Sequence, residues 1–456
     1  MTPSSPFGRA LPSLVTAIPG PRSVALCDAL ADVECPALTA RRARRREQTG
    51  AAHDPIVWDE AFEGNVRDVD GNVFVDMVSG FGAALVGHRH PRVVDAVERQ
   101  SGRLLHALGD VYPSAAKIAL EGRLASIAPW AGARVILGLS GSDAVEAALK
   151  TAVLATKRPG VLAFTGGYHG LSHGPLSVCG YSEAFRAPFR AQLNPAVSFA
   201  PYPAARRPDL CAAALEAARV SLASRDVGAV VIEPVLGRGG NVLGDVGTID
   251  QIVAMAHAHG VVVIADEIYT GLRRIDGAWS FAAATWRVAP DVLCLGKALG
   301  GTLPVSACLM RPEIAAAWGD PGGEAIHTST FLGNPLGCEA ALATLDVLSE
   351  PGSLAALART TYALRTRALE PLRDDPSAGV TAIDGAGMLP GIAIEGGIVR
   401  ALALVRALLE HGYVALAGSA PDLGAAVTLT PPMTLTDAQI DHFAATARTV
   451  FRAVRP

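Results

Sequence analysis

Lysine is scarce in this chain: of 39 Lys and Arg residues among 456, four are lysine, namely Lys117, Lys150, Lys157 and Lys297. Chemistry that needs a lysine amine therefore has four candidates. Aromatic residues make up 5% of the sequence and the net charge is −4, so there is neither a stacking platform nor a positive field for nucleic acid. The cysteines, at 27, 35, 179, 211, 294, 308 and 338, are odd in number and scattered, with no C-x-x-C pair. That spacing excludes the usual zinc and thiol-redox motifs and reads as reduced, mostly buried thiols of a cytoplasmic protein. No run of about eighteen uncharged apolar residues occurs, and the opening MTPSSPFGRALPSLVTAIPGPRS lacks a charged region followed by a long apolar one; neither a membrane span nor a secretion signal is expected. Charged residues at 18% against hydrophobic residues at 50% exclude disorder. The length is enough for a large core plus a smaller domain. Arg41 to Arg46, five arginines about Ala43, form a short basic run, read as a solvated helix face or as a contact for anionic lipid.

Apolar periodicity organises the rest. Runs at 134–139, 161–164, 229–232, 261–265, 292–295 and 305–310 read as strands, several without polar alternation, as expected for strands covered on both faces. Helical patterns lie between them, at 143–156 and at 249–259, the latter with Thr248 as N-cap. The pattern predicts an α/β domain with a largely parallel sheet. After Asn334 a long helical pattern runs to about 349, followed by a Pro- and Gly-punctuated α+β tail. The expected division is an N-terminal segment 1–85 belonging to a small domain, a large domain 86–335, and a C-terminal small domain 336–456.

Three strand ends carry chemistry. The segment Ile136-Leu-Gly-Leu-Ser-Gly-Ser-Asp143 ends a strand in a small-residue turn and opens a helix, so the N–H groups of Gly141 and Ser142 and the Ser142 hydroxyl form a phosphate seat; a tight turn with serine as N-cap reads the same way. In Val261-Val-Val-Ile-Ala-Asp-Glu-Ile-Tyr-Thr-Gly271 an apolar strand delivers Asp266 and Glu267 at its carboxyl end, where open α/β sheets bind ligands. An acid there either meets a cationic group of a cofactor or caps a helix. In Asp291-Val-Leu-Cys-Leu-Gly-Lys297 a third strand ends in glycine and then lysine. A lysine desolvated in such a turn has a lowered pKa and forms a Schiff base with an aldehyde; the alternative is a snorkelling surface lysine. A phosphate seat, a strand-end carboxylate and a strand-end lysine are together the fixtures that pyridoxal 5'-phosphate needs. Metal binding has little support: His257 and His259 face different directions on a predicted helix, and His88 and His90 lie in a turn.

Through DVDGN (68–72), GHRHP (87–91), SGSDAVEAALK (140–150), GGYHG (166–170), IEPV (232–235), IADEIYTG (264–271), LGKALGG (295–301) and TFLGNPLGCEAALA (330–343), the chain resembles the class III aminotransferases. These are fold-type I pyridoxal phosphate enzymes, and the resemblance covers nearly the whole sequence. It implies a large domain with a mostly parallel sheet covered by helices, and a smaller α+β domain built from the N- and C-terminal segments. It also implies site roles. Gly141 and Ser142 resemble the phosphate binders, Tyr168 the aromatic ring stacked on the cofactor with His169 beside it, Asp266 the pyridinium partner and Lys297 the Schiff-base lysine. Glu233 matches the glutamate of the E-P motif near cofactor and substrate, and Tyr269 stands where a glutamine is usual, its phenol able to reach the cofactor hydroxyl. Thr330 resembles the residue that reaches the phosphate of a neighbouring subunit's cofactor, which implies a homodimer with shared active sites. The reaction implied is ping-pong amino transfer from an amine or amino acid to a keto acid or aldehyde. Racemisation or epimerisation and aminomutation, which the same family contains, use the same lysine and stay open at this point.

The sequence departs from the family where substrates are recognised. Thr428 stands where most members carry an arginine for the substrate carboxylate, three residues before the C-terminal Pro-Pro. The family's E-P-V-Q-G-E-G-G reads Glu233-Pro-Val-Leu-Gly-Arg-Gly-Gly240, replacing a glutamate by Arg238. The expectation is that Arg238 supplies a relocated positive charge for a substrate carboxylate, such as that of a keto acid; a solvent-facing loop arginine is the other reading. Leu171 replaces an arginine that 4-aminobutyrate aminotransferases use, and with Phe81 it implies an apolar donor pocket.

Overall fold

In the computed structural model, residues 6–49, 55–319 and 324–455 are described. The chain forms two compact units, one from Met1–His90 with Ala355–Pro456 and one from Pro91–Leu354. The sequence reading placed its boundaries at 85/86 and 335/336; in the structure the helix Pro335–Ser349, capped by Asn334, belongs to the larger unit and packs on the helices Pro91–Ser101 and Ala115–Ile127.

The larger unit is built on a seven-stranded sheet. Its strands in chain order are β1 (Arg134–Gly138), β2 (Gly160–Phe164), β3 (Val197–Ala200), β4 (Val227–Ile232), β5 (Val262–Asp266), β6 (Val292–Leu295) and β7 (Ser306–Met310). They lie side by side in the order β1-β7-β6-β5-β4-β2-β3. All pairings from β6 to β3 are parallel, and β7 runs antiparallel to both its neighbours. Every residue of β2, β4, β5, β6 and β7 is buried, which is why these strands read as unbroken apolar runs. On one face the helix Gly141–Thr156 packs Ala144, Ala148 and Ala152 against Val231, Ile264, Cys294 and Cys308; its alanines let helix and sheet approach closely.

Two local readings differ from the structure. β3 went unread because its four residues, Val-Ser-Phe-Ala, form a short edge strand whose central residues are only half-buried. The helix Val246–Ala258 starts earlier than its apolar pattern: Asp245 is the N-cap, its Oδ1 accepting from the Thr248 N–H at 2.8 Å and the Thr248 hydroxyl at 2.7 Å. Thr248 is thus the capped residue, and the carboxylate, the stronger acceptor, takes the cap.

The smaller unit holds a four-stranded antiparallel sheet of Val380–Ala386, Leu389–Ile394, Gly424–Thr428 and Leu416–Ala420. The helices Gly397–Glu410 and Asp437–Ala453 contribute Leu404, Leu408, Phe443 and Phe451 to a core with Ile392 and Val427. A second sheet joins Trp58–Phe62, Asn65–Asp68 and Val73–Asp76 to Tyr413–Val414 from the C-terminal segment, so this unit needs both ends of the chain. His88, from the GHRHP turn, bonds Asp76 through Nε2 at 2.8 Å. The basic run lies on the helix Pro36–Thr49, where Arg42 pairs with Glu34.

Among the described residues no helix is long and apolar enough to cross a membrane, and no group of three or more His, Cys, Asp or Glu side chains gathers as a metal site. His257 is spent on Asp291 at 3.0 Å, and His259 on the Met255 carbonyl at 2.8 Å. The seven cysteines are free thiols, five of them buried.

Candidate active site

The carboxyl ends of adjacent strands β5 and β6 bring Asp266 and Lys297 together in the larger unit. β6 ends at Leu295, Gly296 follows, and Lys297 opens a 3-10 turn with φ +41°. A left-handed backbone at a side-chain-bearing residue is strained and persists only where the surroundings fix it. Burial pulls the Lys297 amine down to about 8, against the attraction of Asp266 and Glu233; the charges of Arg274 and Arg238 add to the lowering. Its Nζ lies 4.0 Å from the centre of the Tyr269 ring.

The other three lysines are otherwise engaged. Lys117 donates to the Gly109 carbonyl at 3.3 Å, Lys150 to the Ile326 carbonyl at 3.4 Å, and Lys157 sits at a helix C-cap in the left-handed conformation. Peptide mapping of the cofactor-free protein after brief exposure to an amine-selective reagent is expected to show Lys297 half-maximally reactive at about pH 8. Half-maximal reactivity at about 10.4, the ordinary value for lysine, would contradict the buried setting.

The two acids at the end of β5 divide the two readings between them. Asp266 is 4% exposed and bonds His169 Nδ1 through Oδ2 at 2.7 Å, while its Oδ1 accepts from the Ile268 N–H at 3.1 Å. Burial works against charge on His169, but the hydrogen bond and charge of Asp266, with Glu233 beyond, outweigh it and raise the imidazole pKa. Glu267 is the capping acid: its carboxylate accepts from the Phe281 N–H at 2.8 Å, the Ala282 N–H at 3.1 Å and the hydroxyls of Ser280 and Thr270.

Glu233, at the end of β4, ties two loops together. Oε1 accepts from the Tyr168 N–H at 2.7 Å, and Oε2 from the Gly237 N–H at 3.1 Å. Burial lifts this carboxyl to about 7, with His169 opposing and Asp266 reinforcing the rise. Gly237 has no room for a side chain, since a Cβ there would lie 2.4 Å from the Tyr269 ring. The loop beyond it carries Arg238, half-buried, with its guanidinium carbon 4.5, 4.9 and 5.5 Å from the ring centres of Tyr168, Tyr181 and Phe185. Arg238 is therefore not a solvent-facing loop arginine.

Gly141 and Ser142 occupy the first turn of the helix that follows β1. The cap is Ser140, in a box with Asp143, so the N–H groups of Gly141 and Ser142 have no partner inside the helix. A Cβ at Gly141 would press on the Ile268 side chain at 3.1 Å. Ser142 Oγ bonds the Ser172 hydroxyl and accepts from the Ser172 N–H at 3.3 Å. Gly170, at φ +118°, brings the Tyr168–His169 loop onto this helix start, where any Cβ would lie 2.3 Å from Ser142 Oγ. A helix start with unspent N–H groups, a buried carboxylate backed by a histidine and a lysine of depressed pKa make a donor set that fits pyridoxal phosphate.

The remaining candidates stand apart from this cluster or outside the larger unit. Leu171 is 50% exposed beside Gly170, and Thr330 is exposed on the loop before the helix Pro335–Ser349. Phe81 and Thr428 belong to the smaller unit: Phe81 is exposed, with φ +62°, and Thr428 is buried with its hydroxyl donating to the Leu416 carbonyl at 3.2 Å. The sequence reading did not find Arg274, fully buried and electrostatically coupled to Lys297, or Tyr181 and Phe185 beneath Arg238. Nothing in their local sequence marks them.

Comparison with known proteins defines the class. The family model for aminotransferase class III matches residues 48–450. An acetylornithine aminotransferase of Methanosarcina mazei is 32% identical over 388 residues, covering 85% of this chain and 89% of that protein. An adenosylmethionine-8-amino-7-oxononanoate aminotransferase of Synechococcus elongatus is 35% identical over 421 residues, covering 87% and 95%. Among solved structures, an aminotransferase from Vibrio fluvialis in its PMP-bound form superposes with a TM-score of 0.80 at 22% identity, covering 88% of this chain and 93% of that one. The chain belongs to the class III aminotransferases. It is an aminotransferase of the fold-type I architecture, and its cofactor is pyridoxal 5'-phosphate.

Proposed function

We propose that this enzyme moves an amino group from an amine or amino acid with an apolar flank to a keto acid or aldehyde, in two half-reactions at Lys297. The observation that carries the reading is the setting of that lysine: a strand-end amine at about 8, beside a buried carboxylate held by a histidine. Pyridoxal phosphate, when bound, supplies an aldehyde that condenses with amines and a ring that takes up electrons as the substrate C–H bond breaks. Gly141 and Ser142 would hold its phosphate through their N–H groups, and Tyr168 would lie against its ring. Asp266, held in place by His169, would be the carboxylate partner of the ring nitrogen. Tyr269 flanks the lysine and offers its phenol. Lys297 would hold the cofactor through its amine until a donor amine displaces it, and the freed amine would then accept and pass on the proton from the donor carbon. A depressed pKa keeps a useful fraction of the amine uncharged at neutral pH.

Leu171, half exposed beside Gly170, supports an apolar donor side. A second copy of the chain completes the site. In support, Thr330 lies in an exposed apolar region of the larger unit that includes Leu105, Leu108, Tyr112 and Phe331, each more than half exposed, an arrangement typical of a surface that a partner covers.

The test is the near-visible absorbance of the holoenzyme during addition of single amines and amino acids. An apolar amine donor is expected to convert the aldehyde form to the amine form stably, and a keto acid to reverse it. An unchanged spectrum while the donor's α-hydrogen exchanges with solvent would overturn amino transfer.

A further inference from the structure

We infer that Arg238 is the carboxylate-binding residue of the acceptor half-reaction, gripping the carboxylate of a 2-oxo acid. The inference rests on the amino-transfer reading above and names the acceptor class that the same site takes. Its basis is a charged group placed with no counter-charge. The guanidinium sits among the rings of Tyr168, Tyr181 and Phe185, and among the described residues no carboxylate pairs with it and no carbonyl accepts from it. Aromatic rings attract the charge but offer its N–H donors no oxygen acceptor, so those donors stay available to one. A planar edge of paired donors matches a carboxylate bidentately.

The position matters as much as the chemistry. Arg238 is close enough to the reacting nitrogen for its charge to lower the Lys297 amine, and it lies against Tyr168, the ring proposed to lie against the cofactor. Its loop is fixed rather than free. Glu233 bonds both the Tyr168 N–H and the Gly237 N–H, so one carboxylate sets the spacing between the aromatic ring and the arginine, and Gly237 lets the loop close onto Tyr269. Glu233 acts here as a positioning residue.

The experiment compares wild type, Arg238→Gln and Arg238→Lys as holoenzymes. Each is first converted by a donor amine that lacks a carboxylate, then supplied with a 2-oxo acid or with an aldehyde acceptor of similar size. Equilibrium binding of malonate, which cannot react, is measured in parallel by calorimetry. Loss of a charge-assisted bidentate contact is expected to raise the apparent KM for the 2-oxo acid about 10- to 100-fold in Arg238→Gln. Any effect of the lost charge on Lys297 or of the lost contact with Tyr168 is shared by both acceptors, so the readout is the 2-oxo acid KM relative to the aldehyde KM, and malonate binding should weaken in step with the 2-oxo acid. Arg238→Lys, keeping the charge without the planar fork, should fall between. An unchanged 2-oxo acid KM in Arg238→Gln overturns the inference, and so does weaker retention of the cofactor with that KM unchanged, which would assign the guanidinium to the phosphate. Failure of the wild type itself to be converted by any amine is a separate result, and it strikes the amino-transfer reading.

Discussion

Replacing Lys297 by alanine is expected to lower amino transfer by about 10^4-fold or more, the scale of losing a positioned general base together with its nucleophilic role. The protein should still fold, because the side chain fills no core position and its recorded contact is with the face of Tyr269; far-UV circular dichroism checks this. Lys297→Arg keeps the charge but not a titratable amine, and it should be equally inactive, which separates proton transfer from electrostatics. Residual activity within tenfold of wild type would move the chemistry to another lysine, although Lys117 and Lys150 are bonded to carbonyls. The same variant tests the proposal that a second copy of the chain completes the site. Mixed with Thr330→Ala under conditions that exchange subunits, half of the dimers pair one chain of each kind, and each such dimer has one site with both residues intact. About a quarter of wild-type activity is then expected above the residual contribution of sites that carry Thr330→Ala with Lys297 intact. No recovery on verified exchange would mean that Thr330 and Lys297 serve the same chain's site.

Much of this site was legible because its residues stand at strand ends. A buried parallel strand is a run of apolar residues without alternation, and whatever polar residue ends it is delivered to the ligand-binding edge of the sheet. Asp266 and Lys297 follow from that rule, and so does the helix opened by Gly141. The rule could not tell which of two adjacent acids would do which task. Asp266 turns to His169 and Glu267 to the N-terminus of the helix Phe281–Thr285, a division set by how the loop after β5 turns. Arg238 shows where local reading stops. Its identity was conspicuous, but its environment is assembled from Tyr168, Tyr181 and Phe185, which come from an earlier segment of the chain. Arg274 gave no signal at all, since burial of an arginine is a property of the packed structure. The small edge strand β3 and the Asp245 cap were lost for a smaller reason: short or half-buried elements carry little periodicity to read.

Replacing Asp266 by asparagine is expected to cost about 10^2- to 10^3-fold in kcat, the scale of removing a preorganised charge from a transition state, with little change in fold because the side chains are nearly isosteric. Asparagine still fits between His169 and the Ile268 N–H, so geometry survives and the formal charge is what is lost. The effect should fall on kcat far more than on KM, because the charge matters most when electrons move into the cofactor ring. A second readout follows from His169. In the wild type its pKa is raised because Asp266 outweighs burial; without that charge burial gains the upper hand, and the imidazole titration observed by NMR should move to lower pH. The sign of the linkage follows. Stability that a raised His169 pKa contributes is fully present below the unfolded value of about 6.5 and is lost as pH rises through the higher folded value. Asp266→Asn should therefore flatten the rise in stability on acidification through this window. A variant with reduced kcat but an unmoved His169 titration would show that the pair is not coupled as its 2.7 Å contact requires. A moved titration with unchanged kcat would instead take Asp266 out of the chemistry while leaving it as the anchor of His169.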